Sequence, residues 1–413
     1  MITRTIFIFF SLLLLALQAE ELENLPAEVV FAQRKSGLPE GVESVSVPLL
    51  GSLFDVFFVD VQVNGKPVKL LLDTGATGTV LSPEAAKKVG LQPVEGAKST
   101  MRSSIGKYET GQIAQAQRID IGGAWTTKEI VGIHPLPKAF VDGVIGLTTL
   151  VDWDLQIDPV AKKLSIFPKG KAPTLDGEVV LKMAKEVLDS NPESHRLISI
   201  NVPMTVGKKA LQGILDTGFS GTINLGYTWM KENEPDVIKN LPAAQARSQS
   251  LSGVSESRDV KLPILHFASD ELRNFPVEVT QGEAENHDPK ILIGCKLLSH
   301  YIITISFSKD QVRLKPLGTV QDLTKISKRV SPGMSFDFTE DGRMFILSLK
   351  PDGIAAKAGL KVRDEILEME GIVMQNIKPE QFKALKKLTT VTVRYRRGKE
   401  DPAEVTLILE KTE

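Results

Sequence analysis

Two aspartates in this chain stand in the same short motif, which is of a kind that can hold a reactive carboxyl group. The two tripeptides are Asp73, Thr74 and Gly75, and Asp216, Thr217 and Gly218. Each aspartate ends an apolar run typical of a strand, so folding would carry its carboxylate into a partly dry site. The glycine lets the backbone turn sharply and bring N–H groups close to the carboxylate. A single such tripeptide is usually only a turn, so the inference depends on there being two.

Two carboxyl groups held side by side can hydrolyse an amide bond. Like charges this close cannot both ionise at ordinary cost, so the pair shares one proton. The ionised member acts as a base on a water molecule, the protonated member donates to the substrate carbonyl, and the roles then exchange. We therefore predict that Asp73 and Asp216 form a catalytic pair that uses no cofactor. The five histidines are scattered without ligand spacing, so no metal site is expected.

The two motifs belong to an internal repeat. Residues 70–75 and 213–218 are both an apolar run that ends in Asp-Thr-Gly, and they lie 143 residues apart. Further along, an apolar-apolar-Gly motif at residues 144–146 has its counterpart at residues 292–294, 148 residues later. The spacing indicates that each copy is a structural unit of ordinary domain size.

Each repeat has the sequence pattern of β structure. In the first copy, Phe54–Val63 and Val68–Leu72 are typical of strands, and Asn64-Gly65 between them is a hairpin signal. The second copy repeats this pattern. We therefore predict two mainly β lobes, the first at residues 44–170 and the second at residues 171–318.

Two further segments add a family resemblance to the paired Asp-Thr-Gly motifs. Residues 140–147 resemble the segment that closes the active-site strand layer in the first lobe of pepsin. Residues 108–111 resemble the tip of the flap, where a tyrosine closes over the substrate. Over residues 44–318, the chain thus resembles the pepsin-like and retropepsin-like aspartic proteases.

The resemblance implies a mainly β, bilobal, pepsin-like double β-barrel and an endopeptidase that binds an extended polypeptide between its lobes. The catalytic residues would be Asp73 and Asp216, supported by Thr74, Gly75, Thr217 and Gly218, with Tyr108, Thr110, Gly111 and Phe219 as flap and substrate-binding residues. A tyrosine in such a sequence is also common as a half-exposed strand residue, so Tyr108 has two interpretations. Because the chain has two lobes, a dimer of chains is unnecessary, and we expect a monomer.

The chain departs from the pepsin pattern directly after each glycine. Pepsins usually have Ser or Thr there, whose hydroxyl bonds the outer carboxylate oxygen, whereas this chain has Ala76 and Phe219. Losing that donor removes one influence that lowers the carboxyl pKa, so we expect a working range closer to neutral than that of pepsin. The bulky Phe219 could narrow the groove. It motivates the alternative hypothesis of a catalytically inactive, protease-like peptide-binding or scaffold protein.

The C-terminal part of the chain forms a third predicted unit. Residues 319–328 are typical of a linker, and residues 329–413 have the pattern of an α+β domain. The sequence Gly333, Met334, Ser335 and Phe336 resembles the carboxylate-binding loop of PDZ domains. Such a loop captures the C-terminus of a peptide or protein that adds a strand to a sheet edge. The resemblance implies a substrate-recruiting or regulatory module, and the alternative is a domain that only packs against the protease.

The N-terminus indicates an exported protein. A basic start and a short apolar run within residues 1–19 are typical of a signal peptide, with no stable membrane span after its removal. Residues 20–43 form a separate N-terminal segment. The periplasm or the extracellular space is the expected location. The formal net charge of −1 does not favour nucleic acid as a partner. Cys295 is the single cysteine and is expected to be a small core residue.

Overall fold

The protein is seen in a computed structural model. It describes residues 14–15, 34–51, 56–102, 108–136, 142–187, 197–239, 246–250, 253–280, 291–318, 332–339, 341–349, 352–385 and 388–409. The predicted signal peptide lies outside these ranges except at residues 14–15, and the predicted linker lies wholly outside them. In the described part of the chain, no helix has the length and apolar character needed to cross a membrane.

The first repeat folds as a lobe of β-strands with two short helices. Its elements are β1 (Leu14–Leu15), β2 (Ser36–Gly37), β3 (Val45–Pro48), β4 (Leu50–Gly51), β5 (Phe57–Val63), β6 (Lys66–Leu72), β7 (Thr79–Leu81), α1 (Pro83–Lys88), β8 (Pro93–Arg102), β9 (Tyr108–Ile121), β10 (Ala124–Ile133), β11 (Gly143–Ile145), α2 (Leu147–Leu150), β12 (Trp153–Asp158) and β13 (Lys163–Pro168). The strands β9-β10-β7-β11-β6-β5 are paired in this order, and β9 also pairs with β5. The ring of pairings closes a barrel, which leaves the strands in it without a free edge.

The second repeat builds the same arrangement. Its elements are β14 (Val179–Lys182), β15 (Ala184–Val187), β16 (Leu197–Val206), β17 (Lys209–Asp216), β18 (Ile223–Gly226), α3 (Tyr227–Asn233), α4 (Pro235–Lys239), β19 (Ala246–Ser250), β20 (Gly253–Phe267), β21 (Asp270–Thr280), β22 (Leu292–Gly294), α5 (Cys295–Leu298), β23 (Tyr301–Ser306) and β24 (Gln311–Pro316). Here β16-β17-β22-β18-β21-β20 are paired in order, and β16 pairs with β20 to close the ring. The two-lobed, mainly β double barrel expected from the sequence is confirmed.

A separate sheet joins the two lobes across a pseudo-twofold axis. Its strand order is β14-β24-β23-β12-β13-β3, so the two lobes contribute matching halves. At the centre, Gln156 lies opposite Thr304, and the flanking pairs are Leu155 with Ile305 and Ile157 with Ile303. Because the repeat offset here is 148 residues, these pairings are symmetric about the Gln156–Thr304 pair. The strand β14, near the start of the predicted second lobe, forms one edge of this sheet.

The third unit has its own sheet. Its elements are β25 (Met334–Phe338), β26 (Met344–Leu349), α6 (Ile354–Lys357), β27 (Glu365–Met369), β28 (Ile372–Val373), α7 (Pro379–Leu385), β29 (Thr390–Arg396) and β30 (Ala403–Ile408). The strand order is β25-β26-β27-β29-β30, with β28 paired to β27. Met344, Ile346, Ile366 and Val393 are buried in the core of this unit. The observed elements agree with the α+β pattern of residues 329–413.

The N-terminal segment is attached to the first lobe through a buried arginine. The Arg34 guanidinium lies 2.9 Å from Glu129 Oε2 and 2.7 Å from Asp152 Oδ2, and its Nε donates to Thr126 Oγ1 at 3.0 Å. Only 6% of the Arg34 side chain is exposed. Residues just beyond it pair with β10 as β2. The later part of the predicted 20–43 segment is therefore integral to the lobe, because without it two buried carboxylates would lose their cation.

We predict that Arg34→Met lowers the free energy of unfolding by about 3 kcal/mol, because breaking a buried ion pair leaves an uncompensated charge. Lys169→Met is the matched control, since Lys169 lies 3.3 Å from the same Asp152 but is 46% exposed. An exposed pair contributes less than about 1 kcal/mol. Urea unfolding of both variants measures the difference, and equal losses would contradict the assigned role of Arg34.

Candidate active site

In each lobe, the segment that carries the apolar-apolar-Gly motif packs against the Asp-Thr-Gly loop. In lobe 1, Leu147 N–H donates to Ala76 O at 2.9 Å, and in lobe 2, Cys295 N–H donates to Phe219 O at 2.7 Å. A Cβ on Gly146 would lie 2.3 Å from Gly78 O, and one on Gly294 would lie 2.5 Å from Gly221 O. Both contacts are with backbone, which cannot move aside cheaply. The repeated glycine is therefore required by this close approach.

The two loops are locked together by their threonines. Thr74 N–H donates to Thr217 Oγ1 at 3.0 Å, and Thr217 N–H donates to Thr74 Oγ1 at 3.1 Å. Each hydroxyl then donates to a carbonyl of the other lobe, Thr74 to Leu215 O at 2.6 Å and Thr217 to Leu72 O at 2.7 Å. All four groups are buried, so each bond also satisfies a polar atom that has no access to water. The four bonds fix the distance between the two aspartates.

One oxygen of each aspartate is held by its own loop. Asp73 Oδ1 accepts from Gly75 N–H at 2.8 Å and from Ala76 N–H at 3.0 Å. Asp216 Oδ1 accepts from the N–H of Gly218 at 2.9 Å and of Phe219 at 3.0 Å. The second oxygens, both Oδ2, are buried and accept no bond from a donor among the described residues. The carboxyl groups thus present one bound and one available oxygen each.

The two carboxyl groups are close enough to influence each other's pKa. Burial raises the pKa of Asp73 to about 6, while the bonds from Asp216 and from Gly75 and other backbone N–H groups oppose the rise. Burial, and then the negative charge of Asp73, raise the pKa of Asp216 well above its ordinary value. The pair therefore loses its first proton near pH 6 and holds a single proton above that pH, the state that the predicted chemistry requires.

Comparison with known proteins supports a family for the first lobe. Residues 59–149 match the family model described as aspartyl protease. Over these residues the chain is similar to aspartyl proteases.

A curated relative and solved structures resemble longer parts of the chain. DNA damage-inducible protein 1 of Neurospora crassa is 29% identical over 145 residues, which cover 33% of this chain and 30% of that protein. The alignment thus spans less than a third of the relative's length. Basic 7S globulin from soybean matches at a TM-score of 0.40 and 11% identity, over 68% of this chain and 99% of that one. Aspartic proteinase from Irpex lacteus matches at a TM-score of 0.43 and 13% identity, over 68% of this chain and 99% of that one.

The predicted flap residues lie on a hairpin made by β8 and β9. Tyr108 is opposite Arg102 at the last described pair, and residues 103–107 lie outside the described residues. The Tyr108 side chain also lies outside the described part of the chain. Thr110 and Gly111 are further along β9, opposite residues 100 and 99, so their backbone belongs to the paired strands of this hairpin.

The structure adds His134, which no sequence pattern had singled out. Its ring lies against the flap stem, where a Cβ on Gly111 would be 2.5 Å from His134 Cε1. Its Nε2 is hydrogen-bonded to Ser99 Oγ in β8. Burial lowers the pKa of His134 to about 4, so the ring is neutral near neutral pH. A lone histidine at the end of a strand has no motif, and only the fold brings it under the hairpin.

The size of Phe219 suggested that its side chain could narrow the groove, but the side chain is buried within lobe 2. Its ring is fully buried and packs on the backbone of lobe 2. Cβ atoms on Gly221 and Gly294 would lie 2.3 and 2.4 Å from ring carbons of Phe219. The Phe219 N–H donates to the aspartate as the Ala76 N–H does in lobe 1. The bulky side chain is therefore accommodated by glycines without loss of the backbone donor.

Two further residues beside the aspartates, Gly218 and Cys295, are packed closely in the site. A Cβ on Gly218 would lie 2.4 Å from Asp73 Oδ2, so only glycine permits the two loops to approach this closely. Cys295 is buried, with Sγ 3.0 Å from Thr217 O. Within the described ranges, no group of three or more His, Cys, Asp or Glu residues is placed to hold a metal ion.

We predict that Asp216→Asn makes the protein less sensitive to alkaline pH. A carboxyl whose pKa is raised in the folded state stabilises the fold fully below its unfolded value of 3.8 and loses that contribution as pH rises through the folded value. The unfolding free energy of the variant should therefore fall less between pH 4 and pH 8.

Urea unfolding at several pH values measures this effect. Asp60→Asn, at an exposed position of β5, controls for the loss of one negative charge. If the Asp216→Asn and Asp60→Asn curves were parallel to that of the unmodified protein, the buried carboxyl pair would not be the source of the dependence.

Proposed function

We propose that the chain is an aspartic endopeptidase that hydrolyses peptide bonds with a water activated by Asp73 and Asp216. The observation that carries the proposal is the meeting of two buried carboxyl groups, one from each lobe, on loops that the two threonines hold together. The aspartyl protease match of residues 59–149 supports it. Polypeptide is the proposed substrate, bound in extended form between the lobes.

The oxygen atoms suggest how the reaction proceeds. In each carboxyl, Oδ1 is held by backbone N–H groups, and Oδ2 is left for water and substrate. The ionised carboxyl removes a proton from the water as its oxygen attacks the peptide carbonyl. The other carboxyl donates its proton to the carbonyl oxygen, which gives a neutral tetrahedral intermediate. One carboxyl then gives its proton to the leaving nitrogen as the C–N bond breaks. The other carboxylate takes the proton of a hydroxyl of the intermediate, which becomes the product carbonyl, so that the dyad again holds one proton.

The alternative is an inactive, protease-like binding protein. Burial is the observation that favours it, since Asp73 is 1% exposed and Asp216 is 0% exposed. A peptide can reach the dyad only after the groove opens. The observation against it is that Asp216 Oδ1 accepts the same two backbone bonds as Asp73 Oδ1, including the bond from the Phe219 N–H. A merely structural pair would have no need for two carboxyl groups that oppose each other's ionisation.

We predict that the chain without its first 19 residues cleaves an unfolded protein and that Asp73→Asn and Asp216→Asn each lower the rate at least about a hundredfold, the scale of lost acid–base catalysis. Because burial raises the pKa of Asp73 to about 6 and also raises that of Asp216, activity should increase as the pH rises through 6. Electrophoresis of digests between pH 3 and pH 8 measures both.

The chain itself offers the controls for this assay. Asp60→Asn alters an exposed carboxylate and should retain full activity. Equal cleavage by all variants would show a contaminating protease, and no cleavage by any would favour the binding protein. An optimum below about pH 3.5, the acid range of a pepsin-type pair, would contradict the link between burial and a raised pKa.

The third unit is proposed to bind the C-terminus of a peptide or protein, as a PDZ domain does. In the described residues, β25 is the terminal strand of its sheet. The rings of Phe336 in β25 and Phe382 in α7 meet edge to face, with centroids 6.1 Å apart, so the helix lies beside this strand. Gly333, with φ of 77°, begins the loop before β25. A strand edge beside an apolar helix suits a peptide that pairs as an added strand.

The predicted PDZ-loop residues differ in their roles. Met334 and Phe336 are buried apolar side chains, and Ser335 Oγ lies 2.5 Å from Ser348 Oγ on the paired strand. Met334 also belongs to one buried apolar cluster with Leu71 and Val144, which lie beside Asp73. A module in this position suits substrate recruitment or regulation. Export to the periplasm or the extracellular space, and a monomeric state, complete the proposal.

We predict that a labelled peptide with a free C-terminal carboxylate binds the Asp73→Asn chain at least about tenfold more tightly than its C-terminal amide, because the loop would lose a charged acceptor. Phe382→Ala should weaken binding of the carboxylate form, while Ala384→Gln, at an exposed position of the same helix, should not. Fluorescence anisotropy measures both. Equal affinities for acid and amide would rule out carboxylate capture.

A further inference from the structure

The sheet that leads to Asp73 is buried on both of its faces, but in two different apolar clusters. One face packs into the core of the lobes and carries Leu70, Leu72, Leu81, Val131 and Ile145. The other face carries Leu71, Val80 and Val144, because Val144 pairs with both of the other two. Leu71 stands two residues before Asp73, so this second face lies on the side of the catalytic carboxyl. We call it the groove face of lobe 1.

The groove face is apolar and fully buried. The exposed fraction of each of its three side chains is 0%. The cluster that contains them includes Val56 and Phe58 of lobe 1, and it extends into the core of the third unit, where it includes Met334, Phe336 and Ile346. A groove that binds the apolar side chains of a peptide needs such a face to be accessible. In the state seen here, the face is instead part of an apolar cluster that the third unit shares.

The third unit also adjoins lobe 2, at a hairpin. Cα atoms of β26 in the third unit lie within 8 Å of Cα atoms of β19. β19 and β20 are antiparallel, and Ser250 lies opposite Gly253 where they join. In the order of strand pairing, β19 and β20 take the place in lobe 2 that β8 and β9, the predicted flap hairpin, take in lobe 1. The third unit thus meets both lobes, at the groove face of one and at the flap-like hairpin of the other.

The burial of the two aspartates agrees with this arrangement. A peptidase has to admit a peptide to both carboxyl groups, yet Asp73 and Asp216 are almost completely shielded from solvent. Each Oδ2, the atom left for water and substrate, is buried as well. The described state is therefore closed to a polypeptide, and catalysis requires some element to move.

The third unit is the element best suited to move. Among the described residues its strands pair only with one another, so it can separate from the lobes without breaking a sheet. It follows β24 through residues 319–328, the predicted linker. Units that meet through side chains and a linker usually move relative to each other. The competing interpretation is a fixed third unit that completes the groove and assists binding.

We propose that the third unit is an autoinhibitory domain, which lies on the groove face of lobe 1 and has to leave it before a polypeptide can enter. This inference rests on the proposed peptidase function and concerns its regulation. The closed and the open arrangement are then in equilibrium, and only the open fraction binds substrate. The apparent affinity is lowered by that fraction, so a chain that is about one-tenth open binds substrate about tenfold more weakly than an open one.

The first test cuts the connection after the chain has folded. A recognition sequence for a site-specific protease is inserted after Gly318, an exposed residue directly before the predicted linker, and the folded chain is cut there. A short linker holds two units at an effective concentration in the millimolar range, which cutting abolishes. We therefore expect the rate per molecule at which the cut chain cleaves an unfolded protein to rise at least about tenfold on dilution. The rate of the uncut chain should not change.

Gel filtration at each concentration shows how much of the third unit has left the lobes. A rate that is unchanged or lower when the unit has left would overturn autoinhibition, and a lower rate would indicate that the unit recruits substrate. The cut chain with Asp216→Asn should stay inactive at every dilution, which excludes the added protease as the source of cleavage.

A point variant tests the same inference in the intact chain. Leu349 ends β26, is half-buried and packs against the shared cluster. Leu349→Glu places a charge there, which disfavours the closed arrangement, and should raise the cleavage rate roughly tenfold. Leu349→Met should keep the low rate. Val373→Glu is the matched control, because it adds the same charge at a position of the third unit that is 58% exposed. Equal rates in the two glutamate variants would contradict the proposal.

A binding measurement separates this inference from a failure of catalysis. A labelled apolar peptide with a C-terminal amide, which the proposed carboxylate loop would not capture, is titrated into the Asp73→Asn chain before and after the linker is cut. Fluorescence anisotropy should show at least about tenfold tighter binding after the cut. That result would support autoinhibition even if the chain cleaves nothing. Equal affinities would overturn it and leave the peptidase proposal standing.

Discussion

The structure depends on four hydrogen bonds that two threonines make across the pseudo-twofold axis. Thr74 and Thr217 each accept from the other's backbone and donate to a carbonyl of the opposite lobe. These bonds bring two carboxyl groups together against their mutual repulsion, in a site where burial already disfavours charge. The free energy that burial and pairing contribute elsewhere must offset this cost. A reactive site of this kind therefore requires a rigid body on both sides of the axis.

The two lobes are symmetric in the sheet that joins them and in the glycines that pack against the aspartate loops. The joining sheet is centred on the Gln156–Thr304 pair, so the two barrels meet through matching strands. Gly146 and Gly294 leave space for the loops that hold the aspartates. Each strand that ends in an aspartate lies within a closed ring of paired strands, which fixes its direction. The positions of the two carboxyl groups follow from these constraints and not from any single contact between them.

The sequence was sufficient to predict the parts of the fold that occur in both repeats. The apolar strands, the Asp-Thr-Gly loops and the later glycines are local patterns, and duplication in register makes each copy evidence for the other. No comparable sequence pattern indicated which residues far apart in the chain come close together in space. The place of His134 under the flap stem depends on β10 ending beside β8 and β9, and the burial of Phe219 depends on two glycines in other segments. Similarly, nothing in the residues around Arg34 indicated that it would neutralise Glu129 and Asp152.

The two copies differ at positions whose side chains contact neither the other lobe nor a closely packed backbone. Threonine and glycine recur because their atoms contact the other lobe or a neighbouring backbone, and no other side chain satisfies both demands. Val80 and Asn224 show the difference. Val80 pairs with Val144, whereas Asn224 pairs with Leu292 and its Nδ2 also donates to Thr280 Oγ1 at 2.9 Å. A two-lobed chain can therefore differ between its lobes without disturbing the shared pair of aspartates, which a symmetric dimer of identical lobes cannot do.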